Sequence, residues 1–140
     1  MTYHFGTGLQ AAVYRALMSD PVLQTLVGAA IHDAPLDPGT GIDAPTDYVT
    51  LGEETVLPND TKTSTGSIHD FEIVVNSARD GFDTVKRIAA AICDRLVDGD
   101  LALESGRIVG LRFRSARATR GAAPVKRRIA LRFRAVIDQD

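Results

Sequence analysis

The alternation of apolar and polar residues is clearest in the C-terminal third, where two runs share the tetrapeptide Leu-Arg-Phe-Arg, at 111–114 and 131–134. Successive side chains of a strand point to opposite faces. Val109, Leu111 and Phe113 are therefore expected on one face of the first run, with arginines on the other. The second run repeats the pattern. Together they predict a hairpin with one apolar face and one cationic face.

Apolar residues at helical spacing predict an N-terminal helix with the stripe Leu9, Ala12, Val13, Ala16 and Leu17. Asp20 suits an N-cap and Pro21 the first position of a short second helix, which Gly28 would end. Val22 and Leu23 are expected on its apolar face, with Leu26 and Val27.

A longer helix is predicted over residues 80–97, with Asp80 as its N-cap and Asp83 in its first turn. Its apolar stripe is Val85, Ile88, Ala89, Ile92 and Leu96.

The middle of the chain predicts short strands separated by polar segments. Residues 30–32 and 48–51 are brief strand candidates, and residues 68–77 alternate well enough to predict a strand. On that strand, His69, Phe71, Ile73 and Val75 share one face, and Asp70, Glu72, Val74 and Asn76 the other. Residues 33–46 predict a loop, and residues 53–67 a projecting loop or the tip of a long hairpin.

The order of these elements predicts the α+β class. We expect an antiparallel or mixed sheet of about four strands, with two main helices packed on its apolar face and a long projecting loop. At 140 residues, the chain is expected to form a single domain, residues 1–140.

Charge is unevenly distributed, although the formal net charge is only -2. Residues 1–105 hold 6 Lys or Arg and 16 Asp or Glu, whereas residues 106–140 hold 10 and 2. This asymmetry favours an anionic partner, or neutralisation by another part of the fold or by a neighbouring subunit. The lone Cys93 fits a reducing compartment, and neither a membrane span nor a signal peptide is predicted.

Sequence patterns for catalysis, cofactors and metals are weak. His4, His32 and His69 are scattered, and none has a metal-ligand spacing. His69 is expected as a satisfied, partly buried histidine of the apolar face, and Cys93 as a half-buried helix residue. No catalytic, cofactor-binding or metal site is therefore predicted.

The arginines of the predicted hairpin admit three interpretations: an ordinary solvated sheet face, a subunit interface that meets an acidic neighbour, or nonspecific contact with nucleic acid phosphates. Aromatic side chains for base stacking do not interleave with them. The candidate residues are Arg112, Arg114, Arg117, Arg128, Arg132 and Arg134, together with Asp70 and Glu72 of the 68–77 strand. If these strands are neighbours, the carboxylates and guanidinium groups can pair across the same face of the sheet.

The whole pattern resembles the tail-terminator proteins of long-tailed bacteriophages and phage-like gene transfer agents, also called tail-completion or head–tail joining proteins. The resemblance covers nearly the whole chain and rests on patterns of size and polarity. They comprise the N-terminal helix, the segments 20–28, 31–35 and 47–54, the strand 68–77, the helix 80–97 and the final hairpin with its Ile-Val-Gly-Leu-Arg-Phe-Arg stretch at 108–114.

The resemblance implies a structural subunit without catalysis or cofactor that assembles into a ring, commonly a hexamer. The ring would cap the major tail tube protein, end its polymerisation and join it to head connector or stopper proteins. DNA would pass through its lumen. The protein would be located in the neck of the virion or phage-like particle. It would be assembled there in the bacterial cytoplasm, and no membrane would be involved. Candidate tail or neck contacts in the 53–67 segment are Glu53, Glu54, Asn59, Asp60 and Lys62.

Two other functions remain open on the residues themselves. The arginine-rich hairpin could serve a small nonspecific nucleic-acid-binding module. An enzyme with an unrecognised site is the weaker alternative.

Overall fold

A computed structural model describes residues 6–33, 45–63, 65–97, 99–121 and 123–139. Residues 1–5, and most of the predicted 33–46 loop, residues 34–44, lie outside these ranges. The elements are α1 (Gly6–Ser19), α2 (Pro21–Val27), β1 (Ile31–His32), β2 (Asp47–Pro58), β3 (Gly66–Ser77), α3 (Asp83–Leu96), β4 (Arg107–Thr119) and β5 (Arg127–Asp138).

The strands form one mixed sheet in the order β1-β2-β3-β5-β4. β1 is parallel to β2, and the other neighbours are antiparallel. The α+β class is confirmed. The sheet has five strands where about four were expected, and β1 is the brief strand predicted near residue 31. None of the described helices is both long and apolar enough to cross a bilayer.

The hydrophobic core joins the apolar stripes of α1 and α3 to one face of the sheet. The predicted stripes of both helices are buried throughout. Phe133 is fully buried at the centre, and its ring stacks on Phe71 with 5.6 Å between centroids. The strands alternate as predicted, so β3 and β5 each bury one set of side chains against the helices and turn the other set outward.

The caps of the short helix α2 are as predicted, whereas the cap of α3 is not. The Leu23 amide donates to Asp20 Oδ2 at 3.0 Å, and Gly28 adopts the positive φ of 59° that favours glycine. α3 begins only at Asp83, so Asp80 is not its N-cap and instead forms an ion pair with Lys126 at 3.1 Å. The prediction that Val22 joins an apolar face is also wrong, because it is exposed.

The irregular segment predicted over 53–67 is shorter than expected. β2 continues to Pro58 and β3 begins at Gly66, so these strands form the long hairpin and residues 59–65 connect them. Backbone pairing with β3 holds this stretch as a strand, from Glu54 opposite Phe71 to Pro58 opposite Ser67.

Two β-bulges in β4 change which side chains meet the core. The register shifts between Ile108 and Gly110 and again between Phe113 and Ser115. An extra residue in a bulge interrupts strict alternation. Ile108 therefore packs against the core, and Val109, predicted on the apolar face, is 54% exposed.

Candidate functional site: the charged sheet face and its edges

The outward face of the sheet carries carboxylates on β3 and guanidinium groups on β5. The antiparallel register sets Asp70 opposite Arg134 and Glu72 opposite Arg132. Side chains that stand directly opposite one another on neighbouring strands share a face and interact. The sequence prediction that these charges can pair across the sheet is therefore confirmed.

The two pairs are close, and one is bidentate. Arg134 Nε donates to Asp70 Oδ1 at 2.7 Å, and its Nη2 donates to Oδ2 at 3.0 Å. The hydrogen bond from Arg134 lowers the pKa of Asp70, and the same contact raises the pKa of Arg134. Arg132 Nη2 lies 3.1 Å from Glu72 Oε2, and Glu72 is only 11% exposed. The centre of the face is thus electrostatically compensated.

Arg112, Arg114 and Arg117 lie on the edge strand β4, whereas Arg128 lies on β5 and borders a groove that also includes β2 residues. Arg112 stands opposite Arg134, so two like charges are neighbours, and Arg114 lies near enough to Asp70 to help lower the pKa of that carboxyl. In the part of the chain that the structure describes, Arg112, Arg117 and Arg128 take part in no ion pair. Arg112 and Arg117 therefore leave unpaired positive charge at the β4 edge.

The second half of β4 is a sheet edge that is exposed on both of its faces. All residues from 112 to 118 are exposed. Phe113 pairs with the buried Phe133 in the register, yet is itself 46% exposed. Ala116 faces the same way opposite buried Leu131 and is exposed too. The helices on this face therefore leave Phe113 and Ala116 exposed.

The candidate contact residues of the 53–67 segment divide between two places. Asn59, Asp60 and Lys62 are exposed in the turn of the β2–β3 hairpin. Glu53 and Glu54 lie on β2 and not in a loop as predicted. Glu53 falls within the register shift between Leu51 and Glu54, and Glu54 stands opposite Phe71.

Two hydrogen bonds close the hairpin turn. The Asn59 amide donates to the Gly66 carbonyl at 3.0 Å, and the Gly66 amide donates to Asp60 Oδ1 at 3.1 Å. The turn therefore presents its exposed side chains from a hydrogen-bonded base.

A buried polar cluster on the core face was missed from the sequence. Ser67 and His69 are fully buried, and Ser67 Oγ lies 2.7 Å from His69 Nε2. Glu54 Oε2 stands 3.6 Å from His69 Nδ1, beyond hydrogen-bond distance. The signal was the spacing of two, which puts both side chains on one strand face. His69 is more buried than predicted, and a substrate would not reach this Ser–His–Glu arrangement from solvent.

Other potentially reactive groups in the described part of the chain also give little support for catalysis. Burial, followed by the negative charge of Asp94, raises the pKa of the Cys93 thiol, which disfavours the nucleophilic thiolate. Within the described residues, no group of three or more His, Cys, Asp and Glu side chains could hold a metal ion. A sheet with helices on one face, compensated charges at the centre of the other and unpaired arginines at its edge has the features of a structural contact protein.

Comparison with known proteins identifies the family. The sequence model described as Tail completion protein gp17 matches residues 11–138, so the chain belongs to this family of structural virion proteins. The resemblance seen in the sequence is confirmed. A solved structure, described as "Virion of native gene transfer agent (GTA) particle", contains a chain with 46% sequence identity and a TM-score of 0.85. The match covers 98% of this chain and 99% of that chain. No curated protein matches.

Proposed function

We propose that this protein is the tail terminator of a phage-type particle. It acts as one domain over residues 1–140 and forms a ring, commonly a hexamer, that caps the tail tube and ends its polymerisation. The same ring joins the tube to the head connector or stopper proteins, and DNA passes through its lumen. The observation that carries this proposal is the match to a gene transfer agent virion chain at 46% identity over 98% of the sequence, together with the family match.

The protein performs this function without chemistry. Its binding surfaces are the sheet face, the sheet edges and the β2–β3 hairpin, and the buried Ser67–His69 pair serves the core. It is assembled with the major tail tube protein in the bacterial cytoplasm, and it resides in the neck of the particle.

The β2–β3 hairpin supplies the contact to the tail tube or the neck. Its turn carries the exposed Asn59, Asp60 and Lys62, closed at the base by the hydrogen bonds of Gly66. Lys62→Glu reverses one exposed charge without touching that base. We expect normal far-UV circular dichroism and fewer joined particles. Arg87→Glu on α3 is the control: it also reverses an exposed charge, and it gives up only an exposed ion pair with Asp83.

The decisive experiment is the removal of the protein from particle-producing cells. Electron microscopy should show abnormally long tails, or tails that are not joined to heads, and expression of the wild-type chain in trans should restore normal particles. Joined tails of normal length in the absence of the protein would refute tail termination.

A second candidate function is nonspecific binding of nucleic acid. It is favoured by the exposed Arg112 and Arg117, which have no ion-pair partner in the described part of the chain. Such binding would weaken steeply as salt is raised, because it depends on the release of counterions. Affinity for duplex DNA that is lost in Arg112→Glu with Arg117→Glu, while tails still terminate normally, would support this function.

A further inference from the structure

The two long edges of the sheet carry uncompensated charge of opposite sign. At one edge, β4 exposes every residue from 112 to 118 and presents Arg112 and Arg117. These arginines lie on the outward face, beyond the compensated pairs of β3 and β5. The exposed Phe113 adds an apolar contact on the other face of the same strand. This edge therefore combines a cationic side, an apolar side and open backbone groups.

The opposite edge is acidic. β1 pairs with β2 only at Val49 and Thr50, so β2 from Leu51 onward is not covered by a described strand on its outer side. Asp33 and Glu53 are exposed there and take part in no ion pair within the described ranges. Both border an open groove of about 520 Å³ that also includes Thr50, Glu72 and the cationic Arg128.

We propose that the β4 edge of one copy docks on the β2 edge of a second copy of this chain, with Arg112 and Arg117 facing Asp33 and Glu53. The inference rests on the proposed ring, for which it supplies the subunit contact. Complementary potentials orient such an encounter and select the correct partner. The occupant is another copy because a single chain carries both members of the complementary pair.

Charge also selects the symmetry of the contact. A twofold contact of β4 with β4 would bring arginines against arginines, and one of β2 with β2 would bring carboxylates against carboxylates. The contact that satisfies both edges is head-to-tail, and head-to-tail contacts close into a ring when the rotation between subunits closes.

A charge-swap experiment tests this contact in cells that lack the native copy. The first variant is Arg112→Glu with Arg117→Glu, the second is Asp33→Lys with Glu53→Lys, and the third combines all four changes. The readout is the fraction of particles with joined tails of normal length. Each edge reversal should reduce that fraction at least about tenfold, because like charges then meet at every subunit contact. The combined variant should recover most of the loss.

Arg87→Glu on α3 is again the control, and it should behave as wild type. Recovery of joined tails in the variant that combines all four changes is a result that misfolding would not produce. Should the first variant prove insoluble, Arg117→Glu with and without Glu53→Lys makes the same comparison. The inference is overturned if both edge reversals complement fully, or if the combined variant is no better than the worse single-edge variant.

A reversed β4 edge that leaves joined tails intact but abolishes DNA retention would also overturn it, in favour of DNA as the occupant. Failure of the inference is separable from failure of the proposed function. Normal tails in the complete absence of the protein would refute the proposed function. Defective tails in its absence, together with fully active edge variants, would refute only the proposed contact.

Discussion

The buried pair of Ser67 and His69 gives the sharpest prediction of stability. Both side chains are fully buried, and the 2.7 Å contact between Ser67 Oγ and His69 Nε2 is the hydrogen bond of that ring nitrogen. His69 Nδ1 has no hydrogen-bond partner among the described residues. Ser67→Ala would therefore leave a buried imidazole with neither nitrogen bonded.

A buried polar group that loses its partner costs about 1–3 kcal/mol, more than the net value of the bond itself. For a chain of 140 residues, this corresponds to a fall in Tm of roughly 3–10 °C. Removing both partners should cost less, since an apolar pair of similar shape leaves nothing unsatisfied. Ser67→Ala with His69→Leu is therefore expected to be more stable than Ser67→Ala alone. Glu54 keeps contact with water in either variant, because its side chain is 18% exposed.

Equilibrium unfolding in urea measures these differences, followed by far-UV circular dichroism because the chain has no tryptophan. Equal denaturant slopes are required before the free energies are compared. Ser115→Ala, at an exposed strand position, should stay within about 0.5 kcal/mol of wild type. A Ser67→Ala variant as stable as that control, or a double variant less stable than Ser67→Ala, would refute the reasoning.

Three further predictions concern single groups. Gly66→Ala should lower the free energy of unfolding by about 1–3 kcal/mol, because its Cβ would stand 2.9 Å from the Ile137 carbonyl oxygen. In the same unfolding assay, Gly110→Ala should be near neutral, because a Cβ there meets nothing within 4 Å. Because the pKa of Asp70 is lowered in the folded chain, its carboxylate stabilises the fold above the ordinary aspartate pKa of about 3.9, and this stabilisation is lost as pH falls through the folded-state pKa. Asp70→Asn should therefore be less stable than wild type at pH 7 and equally stable in acid. A stability difference that does not change with pH would refute this. Cys93, whose pKa is raised by burial, should react with a thiol reagent far more slowly in the folded than in the urea-unfolded chain at pH 8, and equal rates would contradict that.

Local sequence was sufficient where one strand or helix face is buried without interruption. The alternation of β3 and β5 correctly separated Phe71 and Phe133 from Asp70 and Arg134, because no bulge breaks the register between these strands. The cap of α2 was also predictable, since a capping side chain bonds within its own turn. What these successes share is that the determining contacts lie within a few residues or repeat at a fixed period.

The failures arise where distant parts of the chain decide the structure. Residues 53–58 are mostly exposed, yet they form a strand because the backbone of β3 pairs with them. The bulge before Gly110 moved Val109 out of the core, and nothing in the local alternation marks that extra residue. The meeting of Glu54 with His69 required the β2–β3 register, which only the fold provides.

The division between the centre and the edges of the sheet connects these observations to assembly. At the centre, Asp70–Arg134 and Glu72–Arg132 neutralise one another within the chain, so a change there acts on the folded subunit itself. At the edges, Arg112, Arg117 and Glu53 take part in no ion pair among the described residues, and exposed positions contribute little to the stability of a subunit. Substitutions at the edges should therefore alter joining without altering unfolding, and substitutions at the centre should do the reverse. A sheet whose central charges are paired within the chain, and whose two edges carry charges of opposite sign, can be a stable subunit before it contacts a neighbouring copy.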